Sequence, residues 1–136
     1  MKYIRCVILL FFLVAFSAIS GGKQQHNETL QIINLTEYNS GKRLIISKGQ
    51  VFTLTLPNRT DGGYRFDKAQ YDPSVLRLEK HIKKSAPANS ALGKPGEAVW
   101  QFVALKKGKT TLKITASRPW TKVGIITEFE NEVIVK

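Results

Sequence analysis

The chain has 136 residues, with 21 Lys and Arg against 10 Asp and Glu, a net charge of +11, and a single cysteine, Cys6. A chain of this size builds one core and leaves little room for a second domain. One cysteine excludes a disulfide framework, and the excess of basic charge favours acidic surfaces without saying which kind.

Met1–Ser20 reads as a cleaved export signal. Lys2 and Arg5 form a positive start, Val7–Phe16 is an unbroken apolar run, and Ala18-Ile19-Ser20 fits a small-x-small cleavage site. The apolar run is short for a bilayer span and no second one follows, so no stable membrane anchor is expected. The expected product is a secreted or periplasmic domain starting near Gly21, about 116 residues long, with a net charge of +9 and no thiol. Cys6 precedes the apolar run, which rules out lipid attachment at the cleavage point.

The division expected for the remainder is a polar N-terminal segment and first strand over 21–43, then the main domain over 44–136. Leu30–Leu35 and Leu44–Ile46 are short apolar runs, and Lys48-Gly49 turns into Val51–Leu56, which sets Phe52, Leu54 and Leu56 against Val51, Thr53 and Thr55. Turn formers fill Pro57–Gly63, Tyr64–Phe66 resumes an extended pattern until Asp72-Pro73, and Val75–Leu78 predicts another brief strand. Lys83–Gly96 reads as the longest loop. Val99–Leu105 and Thr110–Ser117 both alternate with period two, and the Lys106-Lys107-Gly108-Lys109 turn between them predicts a hairpin. Pro119 ends it, because proline gives a ladder no N–H. Ile125–Val135 alternates again, and no segment has a helical period.

Seven or eight short strands without helices predict an all-β, immunoglobulin-like sandwich, with a small barrel as the competing architecture. If the strands alternate up and down, Pro57–Gly63, Lys83–Gly96 and Arg118–Gly124 are each two strands apart. All three loops then share one end, and the Lys106–Lys109 turn lies at the other. Trp120 has two readings: it folds back to cap the core, or it stands beside Arg118 as a contact residue of the kind enriched in binding hot spots.

The residues that follow one another at these loops carry a family likeness. Leu56-Pro57 through Tyr64-Arg65-Phe66, Gly93-Lys94-Pro95-Gly96 leading to Trp100-Gln101-Phe102, and Arg118-Pro119-Trp120 resemble, in order and spacing, the three loop motifs of the chagasin-like inhibitors of papain-type cysteine proteases. That family is described by an Asn-Pro-Thr-Thr-Gly-Tyr loop, a Gly-x-Gly-Gly loop and an Arg-Pro-Trp loop on an immunoglobulin-like sandwich. The likeness runs from about Leu44 to the C-terminus. It implies reversible blockage of a papain-family protease cleft by a monomer whose three loops act as a wedge. The implied contact residues are Arg59, Thr60, Asp61, Gly62 and Gly63 in the first loop, Gly93, Lys94, Pro95 and Gly96 in the second, and Arg118, Pro119 and Trp120 in the third. Tyr64 is expected to support the first loop from its base.

The chain departs from the pattern in two places. In the first loop only the last glycine and the tyrosine agree without a gap, and Asp61 brings a carboxylate towards the cysteine thiolate of a target; in the second, Pro95 replaces a glycine.

An enzyme is not expected. The exported part has no thiol nucleophile, its imidazoles are His26 and His81 alone, and metal-ligand spacing is absent, so no catalytic residue, metal or cofactor is assigned. Nucleic acid is not an expected partner, because the lysines are dispersed with little aromatic interleaving. The alternatives from other classes are a secreted immunoglobulin-like adhesion module and a polyanion-binding module.

Overall fold

The computed structural model describes residues 31–58, 61–121 and 123–136. The expected export signal, Cys6, His26, Arg59 and Thr60 lie outside the described residues. Eight strands run in chain order: β1 Ile33–Thr36, β2 Arg43–Ile46, β3 Val51–Asn58, β4 Arg65–Phe66, β5 Leu76–Lys84, β6 Gly96–Ala104, β7 Gly108–Ser117 and β8 Ile126–Val135. They form two four-stranded sheets, ordered β1-β3-β6-β5 and β2-β8-β7-β4. Here the all-β, immunoglobulin-like sandwich read from the sequence is what the chain adopts.

Within each sheet the pairings set β1, β3 and β5 against β6, and β2, β4 and β8 against β7, as strands alternating in direction along the chain require. β1 is parallel to β3 and β2 is parallel to β8, while the other pairs are antiparallel. Period-two alternation decides the core: Phe52, Leu54 and Leu56 from β3, Trp100 and Phe102 from β6, Leu112 and Ile114 from β7, and Phe129, Val133 and Val135 from β8 are all buried. Burial of each such side chain stabilises by about 1.5–3 kcal/mol. Asn131 is the buried polar exception on β8, and its side-chain oxygen accepts the Lys42 backbone N–H at 3.2 Å, tying the β1–β2 crossover to the core.

One expectation is corrected. Val99–Leu105 and Thr110–Ser117 are not a hairpin: β6 and β7 lie in opposite sheets, and the hairpins are β5–β6 and β7–β8. Alternation marks a buried face without saying which sheet owns it. After Ala104 the chain is held at the floor of the sandwich, where Ala104 N–H donates to the Gln50 carbonyl and Leu105 N–H to the Val75 carbonyl, and it crosses there to the other sheet. Trp100 and Phe102 therefore sit in the sheet facing that of Leu112 and Ile114.

β5 is also longer than Val75–Leu78. It runs on to Lys84, so that Lys83 and Lys84, expected at the start of the long loop, are in the strand, and Lys80–Lys84 pairs with Gln101–Glu97 beyond a bulge between Leu78 and Lys80. A lysine-rich, bulged outer strand is a common protection against edge-to-edge aggregation.

Trp100 joins the two sheets. Phe66 of β4 meets its ring edge-on at 5.0 Å, and His81 of β5 stacks on it at 4.7 Å and 9°. Burial, and then the nearby Lys83 charge, hold the His81 imidazole below its usual value of 6.5. The folded state therefore favours neutral His81, and the unfolded chain takes up a proton first as pH falls. This contribution to stability is complete above about pH 6.5 and is lost on acidification through the lowered folded value. Thermal melting between about pH 7.5 and about pH 5.5 is expected to show a fall in midpoint that is smaller in His81→Phe than in wild type. Identical pH dependence in the two proteins would rule out the His81 contribution.

Candidate functional site

Three loops converge at one end of the sandwich. The first, between β3 and β4, crosses from one sheet to the other; the second, between β5 and β6, is a hairpin tip of one sheet; the third, between β7 and β8, is a hairpin tip of the other. The first lies between the other two. Its leading residue Asn58 is the register partner of Gly96, at the end of the second loop, and its trailing residues Gly62–Tyr64 touch Arg118 and Trp120. The Lys106–Lys109 turn is at the opposite end, as the parity of the strands predicts.

The base of the first loop is fixed by β4, only two residues long, whose pairing with β7 is extended by Asp67. Its backbone N–H donates to the Thr115 carbonyl, and its carboxylate accepts the Thr115 hydroxyl at 2.9 Å and the Ser117 hydroxyl at 2.6 Å. Tyr64 is half-buried directly above, and the Arg118 guanidinium lies over its ring, Cζ 4.6 Å from the centroid. A cation over an aromatic face contributes about 0.5–2 kcal/mol, more as water is excluded. Among the described residues, the buried Arg118 Nε has no hydrogen-bond partner.

Above it, Asp61–Gly63 makes one tight turn in which Gly62 and Gly63 both have positive φ, 69° and 77°. The Trp120 ring lies on Gly63 so closely that a Cβ there would overlap it. The indole is nevertheless 69% exposed, which decides between the two readings of this residue: it does not cap the core. Pro119 beside it is exposed as well.

In the second loop Gly96 starts β6 where a Cβ would collide with the Lys84 carbonyl, so the strand pair closes only with glycine at this position. Gly93 has φ 82° and faces open space, and Lys94 and Pro95 are exposed. Lys94 N–H donates to the Ala91 carbonyl at 3.1 Å, folding the tip into a turn that projects Leu92 entirely into solvent. The described residues predicted for the three loops thus lie at one end of the sandwich, with direct contact of Gly62 and Gly63 to Arg118 and Trp120 and a pairing of Asn58 with Gly96, while Gly93 faces open space.

It also adds apolar residues that the motifs do not include: Leu92 in the second loop and Val123, Ile125 and Ile126 after Trp120, all exposed. Their signal in the sequence is an apolar run, Ile125-Ile126, that begins before the first core-facing position of its strand. Among the described residues no group of three or more His, Cys, Asp or Glu is placed to hold a metal ion.

Residues 45–133 match the family model of the chagasin family of peptidase inhibitors, I42. The chain belongs to the chagasin family. This is a family of protease inhibitors and not of enzymes. Among solved structures, the chain is similar to the cysteine protease inhibitor EhICP2 from Entamoeba histolytica, with a TM-score of 0.68 and 28% identity over 77% of this chain and 96% of that one. Amebosin shares the fold at a TM-score of 0.59 and 21% identity, covering 78% of this chain and 99% of that one. PbICP-C, solved in complex with falcipain-2, shares it at 0.52 and 16%, covering 78% and 90%. No curated protein sequence matches this chagasin-family chain significantly.

The contact of Gly63 with Trp120 gives a direct test. Gly63→Ala places a side chain at positive φ and displaces the indole, and is expected to cost about 1–3 kcal/mol. The check is a thermal or denaturant melt read by tryptophan fluorescence. A melt unchanged from wild type would mean that Trp120 does not rest on Gly63 in solution.

Proposed function

We propose that this chain is an exported, reversible inhibitor of papain-like cysteine proteases that blocks the active-site cleft with its three loops. The observation that carries the reading is a large exposed aromatic, Trp120, held on a glycine turn at the end of the sandwich where all three loops meet. Family membership supports inhibition, and the complex of PbICP-C with falcipain-2 supports a protease partner. Export is supported by the Met1–Ser20 pattern, and no described helix is long and apolar enough to cross a membrane.

The wedge needs no chemistry of its own. Main chain at Gly93 faces open space and approaches the cleft without a Cβ in the way, while Gly62 and Gly63 seat Arg118 and Trp120, the latter supplying rigid apolar area. Pro119 presets the third loop, and Arg118 locks it to the first through Tyr64, so little ordering is left to do on binding. Most of the Arg118 effect comes from positioning Trp120. Arg59, Thr60 and Asp61 complete the first loop, where the family pattern is least preserved, and set which proteases are accepted. Lys94 and Pro95 flank the cleft from the second loop.

Active-site titration of papain and of a cathepsin L-type protease with the purified protein tests this reading. Stoichiometric, reversible inhibition is expected. Trp120→Ala should weaken it by about 2 kcal/mol or more, roughly thirty-fold. Arg118→Lys, which keeps the charge but not the plane over Tyr64, should lose most of what Arg118→Ala loses. Folded protein that inhibits neither protease at micromolar concentration would sink the proposal.

A further inference from the structure

We propose that Val123, Ile125 and Ile126 form a second contact of the third loop, docking on an apolar wall that flanks the cleft of the target protease. This inference rests on the inhibitor reading above and adds to it a feature of the target surface.

The three side chains are 76%, 65% and 38% exposed, and Trp120 in the same loop is 69% exposed. Four large apolar residues within seven positions are therefore in water. Single exposed apolar side chains are normal on a soluble protein, but four within one short segment point to a contact surface. The remaining exposed large apolar residues among those described, Ile32, Tyr38, Ile45 and Leu92, are separated from one another in the chain.

The loop holds this group in place. Thr121 N–H donates to the Arg118 carbonyl at 3.1 Å, and Val123 N–H donates to the Thr121 hydroxyl at 3.3 Å. Gly124, with φ 83°, passes so close to Tyr64 that a Cβ would stand 3.3 Å from the tyrosine hydroxyl. Val123 and Ile125 thus flank in sequence a point that packs closely on the same tyrosine that carries Arg118. Ile126 follows as the first residue of β8, paired with Ala116.

The occupant follows from continuity. A partner seated on Trp120 lies three to six residues from this group along one loop, and six extended residues span at most about 20 Å, well within the footprint of a standard interface. A second copy of the chain is opposed by its own net charge, +11 for the full chain and +9 for the exported part. The wall that meets the group is apolar, since burying these side chains against charged groups would forfeit their solvation gain.

The experiment measures inhibition constants and dissociation rates against papain and a cathepsin L-type protease. It uses wild type, the double variant Val123→Ser/Ile125→Ser, the single variant Ile125→Lys, and Trp120→Ala. Ile45→Ser serves as control, since Ile45 is 51% exposed but sits on β2 away from the loops. The double variant is expected to bind at least one protease roughly tenfold or more weakly, through faster dissociation, with an unchanged melting midpoint. Ile125→Lys should show the same loss, and Ile45→Ser should match wild type. Equal constants for wild type, the double variant and Ile125→Lys on both proteases, with Trp120→Ala still weakened, would overturn this inference and leave the inhibitor reading standing. A loss in Ile45→Ser as large as in the double variant would also overturn it, and absence of inhibition by wild type would overturn both.

Discussion

The loop end of the sandwich depends on a missing atom. Trp120 lies on Gly63, and with any Cβ at that position the indole has to move. A large ring left in water ordinarily samples several rotamers, and fixing it on binding costs about 0.5–1.5 kcal/mol. Here the ring is seated on backbone, and it keeps 69% of its surface available. The positive φ at Gly62 and Gly63 makes that seat possible, because a run of L-residues would be strained in the same turn. Arg118 and Tyr64 complete the arrangement from below, so that one loop carries the aromatic while its neighbour provides the surface beneath it.

The sandwich transmits this order to the loops. The first loop is the one that passes between sheets, and it touches a hairpin tip from each. Its position is therefore set twice, once by the pairing of Asn58 with Gly96 and once by Asp67 holding the two-residue β4 to β7 through the Thr115 and Ser117 hydroxyls. Trp100 repeats the link one layer down by meeting Phe66 from the facing sheet. Without a disulfide, these contacts are what keep the two sheet ends in register.

Much of this was legible in the sequence, for physical reasons. Alternation at Phe52–Leu56, Trp100–Phe102 and Leu112–Ala116 reports a buried face, and those residues are buried. The parity of strands between turns places three loops at one end whatever the pairing order, and Arg118-Pro119-Trp120 marks one of them. Parity survived even though the assumed β6–β7 hairpin did not, because it depends on the direction of each strand and not on its neighbours. Sheet membership was illegible because alternation is the same in either sheet. The extension of β5 past Leu78 to Lys84 was hidden by charge, since an outer strand needs only one apolar side. Leu92 and Val123 were missed because an isolated aliphatic residue in a polar loop carries no period at all.

On the inhibitor reading, the divergence of the first loop and the preservation of the third fall on different physical tasks. Asp61–Gly63 is a turn whose contribution is mainly backbone shape, and its fixed requirements are glycine at the positions beneath Arg118 and Trp120. Residues ahead of those glycines are free to change the chemistry offered to a target without disturbing the seat. The third loop has no such freedom, because Arg118 must reach Tyr64, Pro119 must end the strand and Trp120 must fill the space over Gly63. A scaffold divided in this way keeps its anchor while its selectivity drifts. Apolar residues accumulating beyond the anchor, at Val123, Ile125 and Ile126, add a contact where the framework already holds the loop still.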